Sequence, residues 1–185
     1  MILFQIPSIL TIQERDNFIS QWSTKTRQRV TSKVVVLFDH VSGYHHFHNR
    51  PLVGAEMLLS LIREPNNRYD RHAVKVVAPP IDQIRPAFRN AITRERDGQR
   101  VGDVAGKCIG RVPAHLSKLI SNGLLSGDID KCEVIFTGKI IHDGGPKLSM
   151  AYFITFHEET TADYYENEML NFSSTIRDVY LSGLL

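Results

Sequence analysis

The stretch Ile62-Arg-Glu-Pro-Asn-Asn-Arg-Tyr-Asp-Arg-His-Ala-Val74 is a polar segment between two apolar runs, residues 57–62 and 73–77. Pro65, the Asn66-Asn67 pair and Asp70 are residue types that favour chain reversal, so the sequence predicts a loop between two β-strands. The loop also concentrates amides, a phenol, carboxylates and guanidinium groups. Loops that a rigid sheet holds in place commonly carry binding groups. The alternative is an ordinary hairpin loop with a solvated surface.

The order of residues from Arg63 to Val76 resembles the signature of a known family. The pattern Arg-Glu-Pro-Asn-Asn-x-Tyr-Asp-x-x-Ala-Val-x-Val is similar to the core of HIRAN domains. Flanking features agree with it: Gly54 with Leu58 and Leu61, Gly98-Gln-Arg-Val-Gly102, and Ile109-Gly-Arg-Val-Pro113 followed by a helical pattern. The resemblance covers residues 33–156. It implies a small β-barrel related to the OB and SH3-like architectures.

The remaining sequence also predicts a mainly β chain, a small β-barrel with one inserted helix, and the resemblance implies that this barrel is OB/SH3-like. Strands are predicted at 33–38, 57–62, 73–77, 100–104, 132–141 and 148–156, the last two joined at Asp143-Gly-Gly-Pro146. The inserted helix is expected to begin at Pro113 and to end before Gly123, with Leu116, Leu119 and Ile120 facing inward. The barrel domain is therefore assigned to residues 33–157. A basic insertion over 79–98, partly helical from the spacing of Ile84, Phe88 and Ile92, is interpreted as a decoration rather than a mobile flap.

Helical extensions are predicted at both ends. Residues 1–32 contain a capping box, Thr11 with Glu14, that starts a helix over 12–23, with Trp22 as a core anchor. Residues 158–185 are predicted to form an acidic C-terminal helix, whose apolar stripe either packs on the barrel or binds a partner. The stripe consists of Tyr165, Met169, Phe172, Ile176, Val179 and Tyr180.

Composition restricts the function classes. Hydrophobic residues make up 42% and charged residues 23% of the 185 positions, which is typical of a soluble globular protein with one core. No apolar run has the length of a membrane span, and Met1 to Pro7 lacks a basic region, so we expect no signal peptide and no membrane partner. Cys108 and Cys132 show no metal-ligand spacing. We therefore expect an intracellular protein, nuclear if eukaryotic and otherwise cytoplasmic, with no cofactor.

Charge and histidine patterns add two further interpretations. The formal net charge is +2, but five of the 20 acidic residues lie between Glu158 and Glu168, which leaves a basic body suited to a polyanion. Chance scatter of surface charge is the alternative. His46 and His48 would share a face in an extended segment, yet no third ligand lies nearby in sequence, so solvated histidines are favoured over a metal site.

The resemblance implies a site and a ligand. HIRAN domains occur at the N-termini of Snf-type DNA translocases and as free-standing proteins, and in the best understood member the domain captures the 3′ end of single-stranded DNA. By this resemblance Asn67, Tyr69 and Asp70 surround the terminal nucleotide and Arg111 lies near the backbone phosphates. Ala114 stands where a DNA-binding family member has a basic residue, and Asp39-His40 stand where paired aromatics are expected.

The chemistry of these side chains fits such a ligand. An ionised Asp70 can only accept, so a free 3′-hydroxyl would give it a charge-assisted hydrogen bond, whereas a 3′-phosphate would be repelled. Tyr69 offers a ring for stacking. Tyr44 and Phe47, interpreted as exposed aromatics among basic groups, suit stacking on unpaired bases, and Arg63 is a further candidate contact.

Three hypotheses follow. The first is a non-catalytic module for single-stranded DNA ends in DNA repair or replication-fork processing, with a Snf-type translocase or another repair protein as partner. The second is a protein-interaction adaptor that uses residues 158–185. The third, a nuclease or nucleotide hydrolase, is disfavoured because the carboxylates are scattered and the sequence shows no nucleophile motif.

Overall fold

A curled antiparallel sheet forms the body of the protein in the computed structural model, which describes residues 10–26, 34–142, 144–172 and 179–182. The strands in these ranges are β1 Val34–Val41, β2 Leu59–Arg63, β3 Val74–Val77, β4 Ile92–Arg94, β5 Gln99–Arg100, β6 Cys108–Arg111, β7 Ile129–His142, β8 Pro146–Phe156 and β9 Val179–Ser182. The helices are α1 Ile12–Thr26, α2 Tyr44–Phe47, α3 Val101–Val104, α4 Ala114–Ser126 and α5 Glu159–Phe172. Three 3-10 turns cover Ile81–Gln83, Pro86–Phe88 and Glu95–Asp97.

The main sheet closes on itself through a seam, the pair Ser42 and Arg111. Its strands follow the order β6-β3-β2-β7-β8-β1-β9, and all neighbours are antiparallel. The Ser42 amide donates to the Arg111 carbonyl at 2.9 Å and the Arg111 amide donates back at 2.8 Å, which joins the end of β1 to β6. The other half of β1, Val34 to Leu37, pairs with β9. The mainly β, OB-like barrel predicted from the sequence is therefore confirmed.

Gly110 makes the seam possible. A Cβ at this position would lie 2.2 Å from Val41 Cγ1 and 2.5 Å from the Ser42 carbonyl oxygen. Side chains are not accommodated at such distances, so β1 and β6 approach closely only because position 110 has no Cβ. The glycine next to Arg111 thus brings the barrel edges together.

The wall formed by β1, β7 and β8 is buried on both faces. Along β1, Val35, Leu37 and Val41 face the inner core, while Val34, Val36 and Phe38 belong to a second cluster under α1. Two buried side chains of α1, Phe18 and Trp22, cover this outer face. The Trp22 ring stacks on Phe153 with centroids 4.7 Å apart. Burial on both faces explains the continuous apolar run of the strand and confirms Trp22 as a core anchor.

The N-terminal helix starts as its sequence predicts. The Thr11 amide donates to Glu14 Oε2 at 2.7 Å and the Glu14 amide donates to Thr11 Oγ1 at 3.2 Å, so the capping box is formed. The Thr11 amide, followed by the Lys139 ammonium, lowers the pKa of Glu14 to about 2. The helix continues to Thr26, one turn beyond the predicted end.

The inserted helix α4 packs its inward stripe, Leu116 and Ile120, into the inner core. It ends at Gly127, which adopts a left-handed conformation with φ 83°, so the predicted end before Gly123 is wrong. Gly123 lies inside the helix, where a Cβ would be 2.6 Å from Ile129 Cδ1, so its missing side chain lets α4 pack closely on the start of β7. The glycine serves close packing and not helix termination.

The predicted strand at 100–104 is also wrong. Only Gln99–Arg100 is extended, and Val101–Val104 forms the short helix α3. Val101 and Val104 are both fully buried, three residues apart, which is a helical spacing. Asp103 reinforces the turn by accepting a hydrogen bond from the Arg100 amide at 2.8 Å.

The 79–98 insertion packs on the body of the protein. Ile84 is 1% exposed and belongs to the inner core, while Arg85 forms an ion pair with Glu56. Arg94 Nη1 donates to the His48 carbonyl at 2.7 Å. The expected helical part consists of 3-10 turns and is followed by the β4–β5 hairpin. These contacts fit the decoration better than the mobile flap.

The C-terminal region is helical for only part of its predicted length. Helix α5 ends at Phe172, and it buries Ala162, Tyr165 and Met169 in the inner core. Val179–Ser182 forms β9, so the helix predicted over these positions is wrong, while Ile176 lies outside the described residues. Of the two roles considered for the stripe, its described part packs on the barrel. No helix among the described residues has the length and apolarity of a membrane span.

Candidate nucleic-acid interface

The loop between β2 and β3, residues 64–73, is built from two successive turns. The Glu64 amide donates to the Ala73 carbonyl at 2.8 Å, which closes the base of the loop. The Asn67 amide donates to the Glu64 carbonyl at 2.9 Å, and the Ala73 amide donates to the Asp70 carbonyl at 3.0 Å. Pro65 occupies the second position of the first turn, where its fixed φ is favourable. The predicted reversal is confirmed.

The side chains of Asn67 and Asp70 hold this loop in shape. Asn67 Oδ1 accepts from the amides of Tyr69 at 3.0 Å and Asp70 at 3.2 Å. Asp70 Oδ1 accepts from the His72 amide at 2.8 Å. Within the described ranges Asp70 Oδ2 makes no hydrogen bond, so this exposed oxygen is available to a donor from outside the protein.

Tyr69 extends from the tip of the loop into solvent. Its side chain is 83% exposed, which is unusual for a tyrosine in a structured loop. The Arg68 guanidinium lies 4.7 Å from the ring centroid and donates to the phenol oxygen at 2.5 Å. The arginine thus supports the ring from one side, and the exposed remainder is a flat surface suited to base stacking.

An open groove of about 590 Å³ separates this loop from the seam of the barrel. It is lined by Ser42, Asn67, Arg68, Tyr69, Asp70, Ala73, Arg111, Val112 and Ala114. Four of the residues predicted to bind nucleic acid, Asn67, Tyr69, Asp70 and Arg111, therefore surround one space. The loop supplies one wall, while the seam and the start of α4 supply the other.

Arg111 is held in the groove by an ion pair with Glu64. Its Nε donates to Oε2 at 2.6 Å and its Nη2 donates to Oε1 at 3.3 Å, so the pair is bidentate. The guanidinium also lies 5.6 Å from the Phe47 ring centroid. Hydrogen bonding to Arg111 lowers the pKa of Glu64, and the carboxylate raises the pKa of Arg111. Both shifts favour the charged pair, which fixes the guanidinium between the two walls.

Comparison with solved structures gives a likeness for this barrel. Its fold is similar to that of the HIRAN domain of human HLTF. The match covers 80% of this chain and 99% of that crystal-structure chain, with a TM-score of 0.49 and 14% sequence identity. No protein-family model matches the sequence. A search of curated proteins also finds no match.

The remaining predicted site residues lie outside the groove lining. Tyr44 was expected to be exposed, but it is only 6% exposed because α2 directs its ring into the inner core. Its phenol oxygen accepts from Arg94 Nη1 at 3.3 Å, so the ring is unavailable for stacking and that prediction is wrong. Phe47 is half-buried beneath Arg111 and supports the guanidinium.

The side chain of Arg63 points in a different direction from those of the loop residues that follow it. It lies opposite Val74, which is fully buried, so strand alternation places its side chain on the inner side of the sheet. Its Nε donates to Ser121 Oγ of α4 at 3.0 Å. A role for Arg63 at the groove is therefore not supported by its position.

A buried carboxylate beside the groove was not predicted from the sequence. Asp39 Oδ2 lies 2.7 Å from His115 Nε2, and Oδ1 lies 2.7 Å from His40 Nδ1. Burial would raise the pKa of Asp39, but hydrogen bonds from His115 and His40 outweigh it and lower the pKa to about 2. The contact joins β1 to the start of α4, where Ala114 lines the groove. Because Asp39 and His115 are 76 positions apart, only the fold reveals the pair.

The histidine-rich segment is not extended. His46 lies in α2, and His48 follows it with φ 53°, so the shared face considered for a metal site does not form. The rings of His45 and His46 lie 3.9 Å apart and are exposed. Among the described residues, no three His, Cys, Asp or Glu side chains are grouped to hold a metal ion.

Proposed function

We propose that the protein is a non-catalytic module that binds the end of a single-stranded DNA carrying a free 3′-hydroxyl. One observation carries the proposal: an exposed, arginine-supported Tyr69 shares an open groove with the free oxygen of Asp70 and the fixed guanidinium of Arg111. A stacking surface, a strong acceptor and a directed donor are the three groups that a terminal nucleotide needs.

Each group has a defined role in the proposal. The terminal base stacks on Tyr69, and the 3′-hydroxyl donates to Asp70 Oδ2. Arg111 contacts the adjacent phosphate with its terminal Nη1, while Glu64 holds the rest of the guanidinium. A 3′-phosphate would place a second anion beside the Asp70 carboxylate, so the site discriminates by repulsion as well as by attraction.

The size of the groove fits the end of a strand. A volume of about 590 Å³ lies within the range of roughly 300–1,000 Å³ typical of small-ligand sites. Such a site suits a terminal nucleotide and its neighbour better than a long backbone segment. In this role the protein would serve DNA repair or replication-fork processing beside a separate motor, such as a Snf-type translocase.

The test is fluorescence anisotropy with a 5′-labelled single strand ending in a 3′-hydroxyl or a 3′-phosphate. We expect the wild type to prefer the hydroxyl. The variant Asp70→Asn should bind the hydroxyl strand about 10- to 150-fold more weakly, because a hydrogen bond to a charged group contributes about 1.5–3 kcal/mol. It should also lose the discrimination between the two ends.

Asp82→Asn, a change at an exposed carboxylate in the insertion, is the matched control and should leave binding unchanged. Equal, salt-sensitive binding of both strands by the wild type would mean only a basic surface and would overturn the proposal. Unchanged affinity of Asp70→Asn would remove the role given to that carboxylate.

A further inference from the structure

The charges around the groove come close to cancelling. Two arginines line it, Arg68 and Arg111, and they are matched by two carboxylates, Asp70 in the lining and Glu64 behind it. Lys75, which lies opposite Arg111 in the β3–β6 register, and the exposed loop residue Arg71 add positive charge outside the lining. Proteins that follow a nucleic-acid backbone present an excess of Lys and Arg to the phosphates along the channel itself. The lining of this groove lacks that excess.

Glu64 is the residue that produces this balance, and it is rigidly placed. Its amide and carbonyl form two of the hydrogen bonds that shape the loop, to Ala73 and Asn67. Its carboxylate reaches across to β6 and takes the Nε and Nη2 of Arg111. The side chain of Glu64 is 21% exposed, so solvent screens the pair only in part. The same residue thus sets the loop geometry and neutralises the facing cation.

The Arg111 guanidinium also has few nitrogens left for a ligand. Its Nε and Nη2 are taken by Glu64, which leaves Nη1 outside the bidentate pair, whereas Arg68 donates to the Tyr69 phenol through Nη2. A guanidinium held in this way acts as one directed hydrogen-bond donor and not as a mobile point charge. It can select one phosphate in a fixed position, but it attracts an extended polyanion only weakly.

We propose that Glu64 is the residue that makes the groove selective for a strand end over the interior of a strand. This inference rests on the proposed function and deepens it. Glu64 cancels the long-range attraction of Arg111 for phosphates, so that binding depends on stacking at Tyr69 and on the terminal hydroxyl at Asp70. Glu64 is a positioning residue in this role, since it acts on the ligand through Arg111.

Removal of the Glu64 charge should therefore increase unselective binding. Glu64→Gln keeps the size of the side chain and one carbonyl oxygen that can accept from Arg111. It removes the negative charge, so the charge of the Arg111 guanidinium is no longer neutralised. One additional phosphate contact on a single strand steepens the dependence of log K on log salt by about 0.7. We expect this steeper slope, together with tighter binding of strands that carry no free 3′-hydroxyl.

The experiment compares three labelled DNAs of the same sequence: a linear strand with a 3′-hydroxyl, the same strand with a 3′-phosphate, and a covalently closed single-stranded circle. Anisotropy titrations from low to moderate salt are run on the intact protein. The proteins are the wild type, Glu64→Gln, the double variant Glu64→Gln/Arg111→Gln, and Glu56→Gln. Glu56 is the matched control because it is a similarly placed carboxylate, paired with Arg85 and Lys25 away from the groove.

The expected result has three parts. Glu64→Gln binds the circle and the 3′-phosphate strand several-fold more tightly than the wild type, with the steeper slope. The double variant returns the slope to that of the wild type because the freed cation is gone. Glu56→Gln behaves as the wild type. Melting temperatures measured on all four proteins show that the differences arise at the groove and not from unfolding.

Two results would overturn the inference, and they differ from each other. If the wild type prefers the hydroxyl strand but Glu64→Gln shows the same preference and slope, the proposed function stands and the role of Glu64 is wrong. If the wild type binds none of the three DNAs, the proposed function itself fails and the inference fails with it. If Glu64→Gln alone does not fold, the double variant is compared with Arg111→Gln, which differ only in the Glu64 charge: tighter binding of the circle by the double variant supports the inference, and equal binding contradicts it.

Discussion

Replacing Tyr69 with alanine should separate binding from stability. The side chain is 83% exposed and contacts the body of the protein through little besides Arg68. A cation–π contact at an exposed site contributes about 0.5–1 kcal/mol, so the free energy of unfolding should change by no more than that amount. The fold of the loop should also persist, because its turns are held by the backbone and by Asn67 and Asp70.

The loss in affinity should be much larger than the loss in stability. Stacking of one base on an aromatic side chain contributes about 1–3 kcal/mol, so Tyr69→Ala should weaken binding of a 3′-hydroxyl strand roughly 5- to 150-fold. Tyr69→Phe keeps the ring and loses only the oxygen that accepts from Arg68, so its affinity should stay close to that of the wild type. Tyr164, a 58% exposed tyrosine on α5, provides the control substitution Tyr164→Ala.

Anisotropy with the 5′-labelled strand measures the affinities, and urea unfolding measures the stabilities. The reasoning is refuted if Tyr69→Ala binds as tightly as the wild type, since the most exposed aromatic surface at the groove would then have no part in binding. It is also refuted if Tyr164→Ala weakens binding as much as Tyr69→Ala, because the effect would then not belong to the groove.

Two further predictions concern the framework of the site. The pKa of Asp39 is about 2 in the folded protein, compared with an ordinary value of 3.8. The ionised carboxylate therefore stabilises the fold at pH values above 3.8, and this contribution is lost as the pH falls through about 2. Urea unfolding should show the wild type losing on the order of 2 kcal/mol more than Asp39→Asn between pH 5 and pH 2, and equal losses would contradict the assignment. Gly110→Ala should cost about 3 kcal/mol or prevent folding, because its Cβ would overlap Val41 and Ser42 at the seam. Gly102→Ala, whose nearest neighbour would be 3.8 Å away, is the control, and a similar loss in both variants would refute the seam argument.

The elements that could be predicted are those whose signal is local. The β7–β8 hairpin has clear alternation and a glycine-rich turn, and the Thr11–Glu14 capping box marks the start of α1 within four residues. The loop at 64–73 could also be predicted from the sequence, because proline, asparagine and aspartate each favour a turn through their own geometry. In these places the chain needs no distant partner to define its conformation.

The errors arose where a distant contact decides the conformation. Gly123 is a residue type that often ends helices, but here it lies in the middle of α4, where a Cβ would be 2.6 Å from Ile129 Cδ1. Val101 and Val104 fit a short strand as well as a helical turn, and burial of both selects the turn. Val179–Ser182 continues a helical apolar stripe, yet β1 is the partner that makes it a strand.

The same distinction between local and distant contacts applies to the candidate site. Asn67, Tyr69 and Asp70 lie within four positions, so their proximity follows from the loop itself. The pairing of Glu64 with Arg111 depends on β6 lying next to β3, over a separation of 47 positions. The burial of Tyr44 depends on the direction in which α2 leaves β1, which no residue pattern in 39–50 indicates.

The pairing of β1 has a consequence for how the protein is made. One edge of β1 pairs with β8 at positions 148–155, and the other pairs with β9 at 179–182 and with Arg111 at the seam. Every strand that borders β1 is therefore synthesised long after it. Such non-local pairing slows folding, because a long loop must close before any contact stabilises it. The apolar β1 is therefore unpaired until its neighbours have been synthesised, which exposes it to self-association during biosynthesis.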